Sequence, residues 1–225
     1  MAAPQFVSLG ISVLAYDWRG RGKSSGDYAH TSMDTHVDDF GVVVDWLITK
    51  QGVASEEILG VGFSLGAVVI LKHIKRGSRL GAIVGWSPAF RPALDMWPRY
   101  NSPEIEAEVA EHGVARKPGS DDVLIGRAVL DYLRDTDLGA DALVGERAPA
   151  LICHGTGDTR IPHATSELVA AAAAAGGGGG VELVLFPGAT HSFRPAEQFH
   201  AALFAATARW IHQRFPPAPG PARPP

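Results

Sequence analysis

The chain has 225 residues, 46% of them apolar and 20% charged, with a formal net charge of -4. That length supports a real core, and the balance is that of an ordinary globular protein. It lacks the basic stripe of a nucleic-acid binder, and its single cysteine, Cys153, excludes an intrachain disulfide and a cysteine-based zinc site.

The first expected strand is Ile11–Tyr16, an apolar run that ends in a turn-rich stretch, Asp17-Trp18-Arg19-Gly20-Arg21-Gly22. A helix is expected over roughly Thr35–Lys50, where Val37, Phe40, Val44, Leu47 and Ile48 recur at helical spacing. Ile58–Phe63 reads as a buried strand, with a helix, Leu65–Arg76, starting directly after it, and Leu80–Trp86 as another strand. Residues 87–147 differ in character: Pro-rich at first, then charged and helical. Pro149–His154 and Val181–Phe186 read as strands, His163–Ala175 and Ala196–Phe215 as helices. Strands alternating with helices predict an α/β fold: a mostly parallel sheet of about five strands covered on both faces.

The run Gly176–Gly180 is read as a linker without function, and the Pro-rich tail, residues 216–225, as disordered. No apolar run approaches the roughly 18 residues a membrane span requires. The N-terminus lacks the pattern of a secretory signal. With one free cysteine, these features suggest a reducing, cytoplasmic setting.

Gly62-Phe63-Ser64-Leu65-Gly66 is a Gly-x-Ser-x-Gly sequence placed where a strand gives way to a helix. In that context the serine is expected on a sharp, strained turn with its hydroxyl projecting above the sheet. The flanking glycines are expected to avoid collisions with the strand and helix. The N–H of Leu65, at the helix start, would face an oxyanion formed at the serine.

Such a serine needs a base, and His191, in the loop after the last strand, is the best placed of nine histidines. Asp158, after the strand Pro149–His154, is the candidate carboxylate to hold that histidine's tautomer. The competing readings are a surface histidine and a turn-forming aspartate.

Ser64, Asp158 and His191, in that order and each after its own strand, resemble the catalytic residues of the α/β-hydrolase superfamily. Asp17-Trp18-Arg19-Gly20-Arg21-Gly22-Lys23-Ser24 resembles the Asp-x-Arg-Gly-x-Gly-x-Ser loop of many members. His154-Gly155-x-x-Asp158 and Gly188-x-x-His191 resemble the superfamily's acid and base loops. The resemblance runs from Ile11 to Phe215 and implies one α/β-hydrolase domain over residues 1–215, with segment 87–147 as a compact helical cap. It comes nearest to serine aminopeptidase-like, acylglycerol-lipase-like and feruloyl-esterase-like hydrolases.

The resemblance implies a serine hydrolase acting on an ester, thioester or amide of a small-molecule acyl substrate, without cofactor or metal. The alternative is a non-catalytic, α/β-hydrolase-like small-molecule-binding protein or an inactive shortened form. Trp86, Phe90 and Trp97, with Tyr100 and Tyr132, are candidates to line the substrate pocket, and each is equally acceptable as core.

The superfamily's sheet begins with three strands before the one read at Ile11–Tyr16, and the third leads into the loop carrying a second oxyanion donor. Met1–Leu9 is too short for these, and Gln5–Leu9 resembles only the end of the helix preceding Ile11. The chain is therefore expected to be N-terminally shortened and to lack the second donor. Since the absent third strand sits between the strands at Ile11 and Ile58, either a gap or a new pairing of those two is expected.

Two motifs fail on inspection. Gly22-Lys23-Ser24 resembles a P-loop end, but Asp17 stands where that motif requires glycine. Gly60-x-Gly62 continues to Leu65, so the dinucleotide fingerprint is broken. Asp17 and Arg19 are read as bracing their own loop, His154 as ending a buried strand, and Cys153 as a small core residue.

Overall fold

The structure is a computed structural model that describes residues 3–8, 10–120, 122–177 and 180–216. The tail beyond residue 216 and residues 178–179 of the glycine run, both assigned roles above, lie outside the described residues.

A short helix α1 (Ala3–Val7) precedes the apolar run at Ile11, and α2 (Met33–Gln51) follows the Arg/Gly-rich loop. Ser32 caps α2: its side chain accepts from the Thr35 N–H, and the Thr35 hydroxyl oxygen accepts from the Ser32 N–H. Gly52, left-handed at φ 70°, ends it. Strand β1 (Leu59–Phe63) leads through Ser64 into α3 (Leu65–Lys75), then β2 (Ala82–Trp86). The segment expected to form a cap follows, with α4 (Pro92–Asp95), α5 (Pro103–His112), β3 (Val114–Arg116), β4 (Leu124–Gly126) and α6 (Arg127–Asp135). The chain closes with β5 (Ala150–Gly155), α7 (His163–Gly176), β6 (Val181–Phe186) and α8 (Ala196–Arg214).

Strands β1, β2, β5 and β6 form a parallel sheet in that spatial order. Alternation along β5 divides the core. Leu151 and Cys153 join Ala82, Val84 and the inner face of α8, around Trp210. Ala150 and Ile152 join Ile83 and the buried sides of α2, α3 and α7. Strands covered on both faces are predominantly apolar, and all six positions of β5 are buried. A third cluster lies between α2, α3 and the cap, with Val37, Val68, Tyr100 and Leu130 in it. Among the described residues no helix is long and apolar enough to cross a membrane.

Two expectations are corrected. Ile11–Tyr16 is not a strand: it pairs with no strand of the sheet, and Val13 and Leu14 are exposed. An apolar sequence becomes a strand only where a neighbour satisfies its backbone. Here neither a spanned gap nor a new pairing with β1 supplies one. The described sheet therefore has four strands, with β1 at its edge and Val61 and Phe63 exposed on it. The cap is also not wholly helical, because β3 and β4 form an antiparallel pair inside it.

Candidate active site

The turn after β1 sets the site. Ser64 has φ 54° and ψ -119°, a conformation costly to a residue with a Cβ. Backbone bonds hold it there: the Ser64 N–H donates to the Trp86 carbonyl at 2.9 Å, and its own carbonyl accepts from Ala67 and Ala89. Gly62 permits the turn, since a Cβ on it would stand 2.4 Å from the Ala67 nitrogen. Gly66 departs from expectation: a Cβ there would meet only Trp18, at 4.0 Å, an ordinary contact. Leu65 begins α3, so its N–H is among the first four that have no acceptor within the helix.

The loops after β5 and β6 are joined to each other. The Gly157 N–H donates to the Ala189 carbonyl at 2.9 Å, and the Gly188 N–H to the Thr156 hydroxyl at 2.9 Å. Gly155 lets these loops touch, because a Cβ on it would lie 2.1 Å from the Ala189 oxygen.

This junction brings together the three residues singled out by sequence. His191 Nε2 is 3.1 Å from Ser64 Oγ, and His191 Nδ1 is 2.7 Å from Asp158 Oδ2. With the carboxylate accepting from Nδ1–H, the Nε2 lone pair faces the serine hydroxyl. The Asp158 side chain is fully buried and that of His191 is 12% exposed. Asp158 Oδ1 accepts from the N–H groups of Arg160 (2.8 Å) and Ile161 (3.0 Å). Burial alone would raise the Asp158 pKa. Hydrogen bonds from His154, His191 and the Ile161 N–H, with the attraction of His191, outweigh it and hold the carboxyl well below its usual range.

From the sequence His154 is expected only to end a strand. It is completely buried, and its Nε2 lies 3.1 Å from both Asp158 Oδ2 and the Ile161 carbonyl. Facing two acceptors, Nε2 carries the proton, and Nδ1 accepts from the Ser166 hydroxyl at 2.7 Å. Asp158 thus serves two histidines. The signal was in the sequence: His154 stands four residues before Asp158, across the turn that closes β5.

A cavity of about 630 Å³ opens over Ser64 and His191. One wall is Tyr16, Asp17, Trp18 and Leu65; the cap supplies Met96, Tyr100, Val123, Ile125, Val129 and Tyr132. Of the pocket candidates, Tyr100 and Tyr132 line it and the other three do not. Trp86 points to the opposite face, where its Nε1 donates to Thr207 and its ring stacks on Phe6. Phe90 lies in the core beneath α3 and α7, and Trp97 packs against the cap cluster. An aromatic side chain offers the same apolar area to core or pocket, so residue type alone does not separate them.

Asp17 braces its own loop as expected, whereas Arg19 ties that loop to α2. Asp17 accepts from the Lys23 N–H at 2.9 Å, the Ser24 hydroxyl donates to the Asp17 carbonyl at 2.6 Å, and Arg19 grips Asp39 with two nitrogens. Cys153 is fully buried, and burial pushes its thiol up to about 12.

Residues 1–217 match the profile of the prolyl oligopeptidase family. Among solved structures, the chain is similar to Est1E from Butyrivibrio proteoclasticus with ferulic acid bound, at a TM-score of 0.76 and 19% identity, covering 95% of this chain and 81% of that one. It is similar to a monoacylglycerol lipase from Paleococcus ferrophilus, at 0.68 and 19%, covering 95% and 88%. It is also similar to alpha/beta hydrolase domain-containing protein 10 from mouse, at 0.60 and 21%, covering 88% and 76%. These likenesses show a shared α/β-hydrolase fold.

Proposed function

Because the chain belongs to the prolyl oligopeptidase family and has the α/β-hydrolase fold, we propose that it is a serine hydrolase with Ser64 as nucleophile, His191 as base and Asp158 as its orienting acid. The observation that carries this reading is the unbroken chain from Ser64 Oγ to His191 Nε2 (3.1 Å) and from His191 Nδ1 to Asp158 Oδ2 (2.7 Å).

The chemistry follows from that geometry. Ser64 Oγ attacks the carbonyl carbon of an ester, thioester or amide while His191 Nε2 takes its proton. The anionic Asp158 stabilises the resulting imidazolium. The Leu65 N–H, at the positive end of α3, stabilises the tetrahedral oxyanion. His191 then protonates the departing alcohol, thiol or amine, leaving an acyl group on Ser64. Water attacks that acyl-enzyme, giving its proton to His191. The carboxylic acid leaves, and Ser64 regains the proton. No metal or cofactor enters these steps. Est1E with ferulic acid bound, and the lipase, favour an ester among the three classes.

A non-catalytic small-molecule-binding role is the second reading. It draws on the edge position of β1: among the described residues no strand lies beyond it to bring another loop over Ser64. Losing one oxyanion donor typically lowers kcat by about 10²–10³. Pre-steady-state hydrolysis of 4-nitrophenyl acetate decides between the two. The hydrolase reading predicts a burst of 4-nitrophenolate stoichiometric with enzyme, abolished in Ser64→Ala. Turnover unaffected by that substitution, or none in a folded sample, would favour the binding role.

A further inference from the structure

The cavity above Ser64 contains charge that hydrolysis of a neutral ester does not require. Arg21, Arg99, Lys117 and Arg160 all line it. They come from four separate places: the loop before α2, the turn after α4, the β3–β4 hairpin and the acid loop. Among the described residues the one carboxylate lining the cavity is Asp17, whose side chain is engaged with its own loop at the Lys23 N–H. Asp158 lies behind His191, with both oxygens accepting hydrogen bonds.

Ion pairs neutralise charge at several places outside the cavity. Arg19, Arg76, Arg91, Arg127 and Arg134 each form an ion pair with an aspartate or glutamate. Among the described residues no such pair involves any of the four cavity cations. Arg99 donates to the Arg160 carbonyl at 3.1 Å, and Arg21 lies over the Tyr28 ring, 5.3 Å from its centroid. Both contacts are with neutral groups, which orient a guanidinium without neutralising it. Lys117 is half-buried, and burial together with the charges of Arg21 and Arg160 lowers its pKa. Arg21, Arg99 and Arg160 are exposed, so solvent screens part of the mutual repulsion of the four cations, and an anion between them relieves the rest.

We infer that the substrate carries an anionic group, a carboxylate or a phosphate, apart from its scissile carbonyl, and that Arg21, Arg99, Lys117 and Arg160 receive it. This deepens the serine-hydrolase reading and rests on it. The apolar lining from Met96, Val129 and Ile161 would hold the carbon skeleton between the two polar ends.

The test compares 4-nitrophenyl esters of hexanoate, adipate (a free ω-carboxylate) and 5-phosphonopentanoate, alongside phenyl acetate and 4-carboxyphenyl acetate. These pairs place the anion in the acyl or in the leaving group. At least one anionic ester should exceed its neutral partner in kcat/KM by about tenfold or more at low salt. That ratio should fall several-fold in Lys117→Met and in Arg160→Met, and also in 0.5 M NaCl. The carboxylate and phosphonate arms identify which anion is taken. Ratios near one for every pair, with turnover intact, overturn the inference and leave the hydrolase reading standing. Should no ester turn over, calorimetric titration of Ser64→Ala with hexanoate, 5-phosphonopentanoate and hexanamide decides the anion site alone. Binding of an anion but not of the amide, weakened in the Lys117→Met background, supports it, and equal or absent binding overturns it.

Discussion

Gly62 and Gly66 flank the same serine, yet the structure asks different things of them. Gly62 faces the backbone of α3 at a distance no side chain tolerates, while Gly66 sits at the start of that helix with only an ordinary contact to Trp18 beside it. Gly62→Ala is therefore expected to lower stability by about 3 kcal/mol or more, the upper end of the overpacking range, because the obstructing atoms are backbone. Gly66→Ala is expected to fold with unchanged or slightly higher stability, since alanine gains about 0.5–1 kcal/mol over glycine within a helix. Urea denaturation of the two variants checks the contrast, and equal losses would mean that the Ser-x-Gly half of the motif is as constrained as the Gly-x-Ser half. Residue type and spacing made the meeting of Ser64, Asp158 and His191 legible in advance, because each follows the C-terminal end of a strand with a turn after it. His154 was hidden by its place on a strand: an apolar environment suggested a passive role, whereas its ring lies against the Asp158 carboxylate.

At the scale of elements, legibility followed apolar patterning rather than burial, since only Phe186 of β6 is buried. The helix expected over Thr35–Lys50 is Met33–Gln51, and the strand expected over Val181–Phe186 has those bounds. Ile11–Tyr16 has the same apolar character and did not become a strand. Composition reports the capacity to be buried, whereas a strand also needs a backbone partner, which the sequence of one segment does not reveal. The β3–β4 pair failed in the opposite way. Each strand has three residues, too few for alternation to register, although Lys117-Pro118-Gly119-Ser120 between them carries a recognisable turn signature with Gly119 at φ 73°. The hairpin delivers Lys117 to the cavity.

Across the whole molecule, the property least visible in the sequence is the sign of the charge inside the cavity. A net charge of -4 says nothing of it, since its cations are up to 139 positions apart and meet only through the fold. Acid sensitivity is a second global property. His36 is buried between Trp18 and Tyr28, and burial lowers its pKa to about 4. Because the unfolded chain holds that proton up to a pKa near 6.5, the folded state loses stability as pH falls from about 6.5 towards 4. Above that window the contribution is fully present. The loss attributable to His36 should reach on the order of 3 kcal/mol, and His36→Phe should flatten the denaturation midpoint across that pH range. Asp158 acts lower on the scale. Its depressed pKa contributes stability above about pH 4, and that contribution fades as the pH drops further.

The proposed chemistry turns on one group, the hydroxyl of Ser64 held 3.1 Å from His191. Labelling with a fluorophosphonate, followed by peptide mass spectrometry, measures its reactivity directly. The account predicts one adduct, on Ser64, that is absent in Ser64→Ala and forms at least about a hundredfold more slowly in His191→Ala. A folded protein that resists the probe, or that labels equally well after Ser64→Ala, would contradict it.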